Sequence, residues 1–87
     1  MIERADLQDE YGSKWELKYY VQSHAGEKEK TYGIKVERCG KDGMISEETF
    51  GVTASYEEAA SWVRKMANGK VTPLTLHDVV DNFEEDR

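Results

Sequence analysis

The fold is decided by a stretch of alternating polarity near the N-terminus, which reads Lys14-Trp15-Glu16-Leu17-Lys18-Tyr19-Tyr20-Val21-Gln22. Large apolar side chains recur at every second position, and mostly polar side chains lie between them. Successive side chains of a β-strand point to opposite faces of a sheet, so this period predicts a strand with one buried face. The predicted buried residues are Trp15, Leu17, Tyr19 and Val21.

The same alternation returns over residues 31–39, whose inward positions are Tyr32, Ile34 and Val36. The chain then reads Gly40-Lys41-Asp42-Gly43, and glycines that bracket a polar pair predict a tight hairpin turn, because glycine tolerates positive φ. Residues 44–52 are predicted to form a third, weaker strand. Its register stays open because Ile45 is out of phase with Phe50.

Beyond residue 53 the apolar residues follow helical spacing. Ser55 and Glu58 have the spacing of an N-terminal capping box, and Asn68-Gly69 supplies the left-handed residue that commonly ends a helix. A second helix is predicted to be capped by Thr75, with Asp78 at its box position. The two apolar stripes are Ala59, Trp62, Val63, Met66 and Ala67, then Leu76, Val79, Val80 and Phe83.

This order of elements predicts an α+β fold, in which a three-stranded antiparallel meander carries two helices on one face (βββαα). The length of 87 residues is that of one domain. Residues 1–13 show no sustained period and are predicted to be a polar leader. Residues 14–83 form the predicted domain, with Phe50 in its core, and residues 84–87 a frayed acidic tail.

Two segments of the chain resemble a family of small Gram-positive bacterial proteins of unknown function. One is the strand motif Tyr32-Gly33-Ile34-Lys35-Val36, and the other is the terminal segment from Val71-Thr72-Pro73 through Asp78-Val79-Val80 to Phe83. The resemblance covers most of the chain beyond residue 14. It implies a small bacterial cytoplasmic protein and carries over no catalytic residue.

The net charge of −6 is concentrated at the two ends of the chain. Residues 1–13 carry one base and four acids, residues 14–74 carry ten bases and nine acids, and residues 75–87 carry one base and five acids. Nucleic-acid binding depends on Lys and Arg that neutralise phosphates, so no nucleic acid is expected as a partner.

Other classes of protein are excluded by what the sequence lacks. It has no apolar run of the roughly 18 residues that span a bilayer, so no membrane association is expected. Its first residues lack the basic and apolar regions of a secretory signal. Small secreted domains usually carry several disulfides, whereas this chain has the single cysteine Cys39. A cytoplasmic location is therefore the default expectation.

No group of residues forms a recognisable catalytic constellation. Cys39 with His24 or His77 is the minimal pair of nucleophile and base, but nothing in the sequence brings the two together. Acidic residues at positions 78 and 81 lie near His77, yet they lack the spacings of known metal-binding helices. The sequence therefore predicts a protein that is not an enzyme and holds no metal or cofactor.

Two surfaces are candidates for binding. The second helix carries four acids at helical spacing, which are Asp78, Asp81, Glu84 and Glu85. These acids would meet a basic protein partner. The outer face of the sheet would present Lys14, Lys18, Tyr20 and Lys35. A basic face with an aromatic residue is a weak pattern for binding single-stranded nucleic acid. A solvated face with salt bridges is the commoner outcome for the open side of such a sheet.

The leading hypothesis is a non-catalytic protein-binding or regulatory module. One alternative is an obligate dimer or subunit that forms a site only with a partner chain, so homo-oligomerisation stays open. The other is a weak binder of a ligand or nucleic acid on the outer sheet face.

Overall fold

The computed structural model describes residues 2–8, 12, 14–25, 29–41 and 43–85. Within these residues, four antiparallel strands form one sheet in chain order: β1 (Ile2–Gln8), β2 (Lys14–Ala25), β3 (Lys30–Gly40) and β4 (Gly43–Glu48). Two helices follow, α1 (Tyr56–Asn68) and α2 (Leu76–Glu85), and a 3₁₀ turn at Pro73–Thr75 directly precedes α2. The predicted α+β class with an antiparallel sheet and two helices is confirmed.

The centre of the sheet follows the alternation in the sequence. β2 and β3 are antiparallel neighbours, with Tyr19 opposite Val36 and Val21 opposite Ile34. Residues directly opposite each other point to the same face, so this register gathers the apolar residues of both strands on one side. Both helices pack on that side, which we call the inner face.

The prediction of three strands and a polar leader is wrong, because the segment 1–13 contains β1. This strand pairs with β2 and places Ala5 opposite Leu17, on the inner face against the core. Its neighbours Arg4 and Asp6 point to the outer face. An edge strand with charged outward positions carries little apolar alternation, which is why its period was not visible in the sequence.

The predicted third strand over residues 44–52 ends early. β4 stops at Glu48, although the Thr49 amide still donates to the Ile34 carbonyl at 2.8 Å; residues 50–51 then leave the ladder, and Thr53 returns to it by bridging Tyr32. Gly51, with a φ of 59°, adopts a conformation that glycine tolerates best. The open register of the sequence has a simple cause: Met44 lies on the outer face opposite Cys39, Ile45 lies on the inner face opposite Arg38, and Phe50 belongs to the interruption.

The prediction of Phe50 as a core residue is wrong for the same reason. The interrupting segment crosses the outer face directly over Gly33, where a Cβ would overlap the carbonyl of Thr49. Phe50 lies on that side with its ring centroid 4.9 Å from that of His24, and it is 65% exposed.

Helix α1 begins where its capping box predicts. The Ser55 hydroxyl accepts the Glu58 amide at 3.2 Å. At the other end the left-handed residue is Lys70, with a φ of 53°, whereas Gly69 has a φ of −89°. The Val71 amide donates to the carbonyl of Met66 at 3.0 Å and closes the helix end, so the chain reverses one residue later than predicted.

Helix α2 begins differently from the prediction. Thr75 belongs to the 3₁₀ turn, and its hydroxyl donates to the carbonyl of Thr72 at 3.3 Å instead of capping α2. The restricted φ of Pro73 favours this extra turn. Helix α2 then continues through Glu84 and Glu85 of the predicted tail, and residues 86–87 lie outside the described part of the chain.

The core lies between the inner face and the two helices. Its buried residues are Leu17, Tyr19, Ile34, Val36, Trp62, Val63, Met66, Leu76 and Val80. Val79 and Phe83 are partly buried against it, and Trp15 is only half-buried near the end of the sheet, beneath the guanidinium of Arg38. The Tyr19 phenol donates to the carbonyl of Val71 at 2.7 Å, and burial raises the pKa of Tyr19 to about 12.

Candidate functional site

The acids predicted for the second helix all lie on α2 and are exposed. They are Asp78, Asp81, Glu84 and Glu85. The buried residues Leu76 and Val80 anchor the opposite side of the helix to the core. Within the described part of the chain none of the four carboxylates lies within ion-pair distance of a basic side chain. Their charge is therefore available to a partner.

Helix α2 is joined to the edge of the sheet by a polar contact. Nε2 of His77 lies 3.2 Å from Oε2 of Glu47, which is on the inner side of β4. Both side chains are at least half-exposed. This contact places a fifth carboxylate, which the sequence did not group with the others, beside the start of the acidic helix.

Apolar side chains lie next to these acids. Ile45 is two residues from Glu47 on the same face of β4, and it is 46% exposed. The 3₁₀ turn packs beside β4, and its Leu74 is 82% exposed. Scattered exposed apolar residues are normal, but these two lie near the start of the acidic helix, because Leu74 directly precedes it in the chain and Glu47 contacts His77. We call this combination the β4–α2 surface, comprising Ile45, Glu47, Leu74, Asp78, Asp81, Glu84 and Glu85.

Sequence reasoning found four of these seven residues. It had two weak indications of the others: Ile45 was out of phase with its neighbours, and Leu74 lay outside the helical stripe. Glu47 carried no indication, because its proximity to α2 results from a contact across 30 residues of chain.

The other candidate surface is the outer face of the sheet, where the register places Lys14, Lys18, Tyr20 and Lys35. Acids alternate with these bases. Lys18 lies opposite Glu37, and Lys35 lies opposite both Tyr20 and Glu48. On the described strands four bases share this face with four acids: Arg4, Lys14, Lys18 and Lys35 with Asp6, Glu16, Glu37 and Glu48. The face is therefore neutral overall.

Glu37 is the centre of this outer face. It is only 9% exposed although both described helices pack on the opposite face, and its carboxylate lies 4.0 Å from the Lys35 ammonium. The Tyr20 phenol donates a hydrogen bond to Glu37, and this bond, followed by burial and the negative charge of Glu37, raises the pKa of Tyr20 to about 12. Tyr20 and Lys35 are thus both engaged with Glu37 on the same face.

The structure separates the residues considered for nucleophilic chemistry. Cys39 lies opposite Glu16, whereas His24 lies opposite Thr31, and the eight residue steps of strand between these positions span about 26 Å. His77 contacts Glu47 on the inner side, and Cys39 points to the outer side. Among the described residues, no three His, Cys, Asp or Glu side chains form a group suited to a metal ion.

The fold defines the protein as a small α+β domain with one sheet face covered by helices and one open. The chain belongs to a family of unknown function (DUF6514), whose model matches residues 1–86. No curated protein and no solved structure matches it. None of the described helices is long and apolar enough to cross a membrane.

Proposed function

We propose that this protein is a non-catalytic protein-binding module, and that it recognises a basic partner through the β4–α2 surface. The observation that carries the proposal is the set of four exposed α2 carboxylates, none of which has an ion-pair partner among the described residues, together with the exposed Leu74 just before the helix and the exposed Ile45 on β4. Protein interfaces combine an apolar centre with a polar rim, and charge complementarity steers the encounter. The resemblance noted in the sequence supports a bacterial cytoplasmic setting for this role.

The α2 acids are presented on a helix that is anchored to the core. Leu76 and Val80 are buried there, and the exposed His77–Glu47 contact lies at the start of the helix beside β4. A partner therefore meets a preformed surface, so binding requires little ordering of this chain.

The outer sheet face is the weaker candidate. Its bases are balanced by acids at neighbouring positions, so the face lacks the excess of positive charge on which nucleic-acid binding depends. The engagement of Tyr20 with Glu37 also occupies the one aromatic side chain that the sequence offered there as a stacking platform.

The proposal is tested with a partner captured from the organism's own extract and then purified. Its affinity for the full chain is measured by calorimetry at several salt concentrations. We compare the wild type with a variant that combines Asp78→Asn, Asp81→Asn, Glu84→Gln and Glu85→Gln. The expected result is an affinity at least about tenfold weaker in this variant, and one that falls with salt in the wild type.

A matched control separates the location of the charge from its amount. It combines Glu3→Gln, Asp6→Asn, Glu29→Gln and Glu57→Gln, which removes the same four charges from other parts of the chain. This control should bind almost as tightly as the wild type. Equal losses in the two variants, or no loss in either, would contradict binding at the β4–α2 surface.

A further inference from the structure

We propose that the partner binds by adding an extended basic segment, as a fifth strand, to the outer edge of β4. This inference rests on the proposed function and specifies how the partner is held. β4 is the last strand of the sheet, and no other strand among the described residues pairs with its second edge. Exposed strand edges present unpaired backbone groups and serve as templates for strand addition.

The hydrogen-bond pattern shows which backbone groups of β4 are available. The Thr49 amide donates to the carbonyl of Ile34 at 2.8 Å, and the Ile34 amide donates to the Thr49 hydroxyl. Bonded and non-bonded pairs alternate along an antiparallel ladder. From this starting point the bonding positions of β4 are Gly43, Ile45 and Glu47. The N–H and C=O groups that point away from β3 therefore belong to Met44, Ser46 and Glu48.

The side chains along this edge define a pattern for the added strand. Met44 and Ile45, at one end of β4, are 58% and 46% exposed, and Glu47 and Glu48 follow at the other end. Natural edges are commonly protected by proline or lysine, and the sequence Gly-Met-Ile-Ser-Glu-Glu of β4 contains neither. The matching segment carries two apolar residues opposite the first pair and two Lys or Arg residues opposite the second.

Charge decides between a basic segment and a second copy of this chain. Antiparallel pairing of two β4 edges would make one continuous sheet with both inner faces on the same side. The two acidic α2 helices would then lie on that same side, in a pair of chains that each carry a net charge of −6. Like charges oppose such an association, whereas a basic segment is attracted by the same acidic groups.

The test begins with a displayed library of random peptides, which is selected for binding to the full chain. Each peptide has about twelve residues, because this length covers β4 and leaves flanking residues on both sides. Two protein variants are then compared with the wild type. Ser46→Pro removes an N–H that is not bonded to β3, which an edge strand tolerates, and Ser46→Ala is its matched control. Circular dichroism checks that both variants remain folded.

We expect selected peptides with adjacent apolar and basic pairs. They should bind Ser46→Pro at least about tenfold more weakly than the wild type and bind Ser46→Ala equally well. A second measurement does not depend on the folding of any variant, because it changes the peptide alone. N-methylation of its alternate amides should abolish binding in one phase and preserve it in the other, since only every second amide of an added strand faces β4.

Several outcomes would overturn strand addition. They are a selection that yields no peptide of this pattern, N-methylated peptides that bind equally in both phases, and self-association of the wild type that Ser46→Pro abolishes. If the captured partner still depends on the α2 acids while Ser46→Pro has no effect on it, strand addition fails and the proposed function stands. If binding ignores those acids, the proposed function itself fails.

Discussion

The phenol of Tyr19 donates a hydrogen bond of 2.7 Å to the backbone carbonyl of Val71, 52 positions further along the chain. Tyr19 lies at the centre of the sheet, and Val71 lies in the connection between α1 and the 3₁₀ turn. This bond therefore fixes the point from which the chain proceeds to α2. The position of the β4–α2 surface relative to the sheet depends on it.

Removal of this hydrogen bond should destabilise the domain. Tyr19→Phe leaves the ring in place but deprives the Val71 carbonyl of its donor, so we expect a loss of about 1–3 kcal/mol in the free energy of unfolding. Urea melts measure the loss. Tyr56→Phe is the control, because Tyr56 is 45% exposed and its change should stay within about 0.5 kcal/mol. Equal midpoints for the two variants would show that the bond contributes nothing.

Stability should fall at alkaline pH. The pKa of Tyr19 is raised from 10.0 to about 12 by burial, so between these values the folded state retains a proton that the unfolded state has lost. The free energy of unfolding therefore decreases as pH rises through this window, and the stabilisation is fully present below about pH 10.

Comparison of variants isolates the contribution of Tyr19 to this pH dependence. Tyr19→Phe should show a shallower fall of the urea midpoint than the wild type. A residual slope should remain from Tyr20, whose pKa is also about 12. Identical slopes in the two proteins would contradict the assignment of the shift to burial of Tyr19.

Helix α2 should be anchored more by Leu76 than by Phe83. Leu76 is fully buried, so Leu76→Ala should cost about 2–5 kcal/mol. Phe83 is partly buried against the Trp62 ring at 5.6 Å between centroids, and Phe83→Ala should cost about 2 kcal/mol. Glu84→Gln, an exposed change one residue away, should cost less than about 0.5 kcal/mol. Urea melts rank the three variants, and a larger loss for Phe83 than for Leu76 would reverse the assignment.

Hydrogen exchange should alternate along β4. The amides of Ile45 and Glu47 point towards β3 and should exchange slowly, whereas those of Met44 and Ser46 point away from it and should exchange fast. Residue-resolved exchange by NMR measures all four. The neighbouring amides serve as each other's controls, because they share the same strand and exposure to solvent. Uniform protection would mean that another segment covers the edge.

The sequence alone determined the elements whose apolar residues follow a local period. The alternation around Tyr19 and Ile34 placed both residues on the buried face, and the box at Ser55 and Glu58 located the start of α1. These predictions succeed because a period of two or 3.6 is a property of neighbouring residues and needs no knowledge of distant ones. The four exposed acids of α2 were found in the same way.

The tertiary structure determined what depends on partners distant in the sequence. β1 is a strand because β2 pairs with it, and Phe50 leaves the core because residues 49–51 cross Gly33. Glu47 joins α2 through His77, a contact that no local period encodes. The neutrality of the outer face likewise follows from cross-strand register, which places acids beside bases that the sequence separates. Register and contacts of this kind arise only when the whole chain packs, so no single segment reveals them.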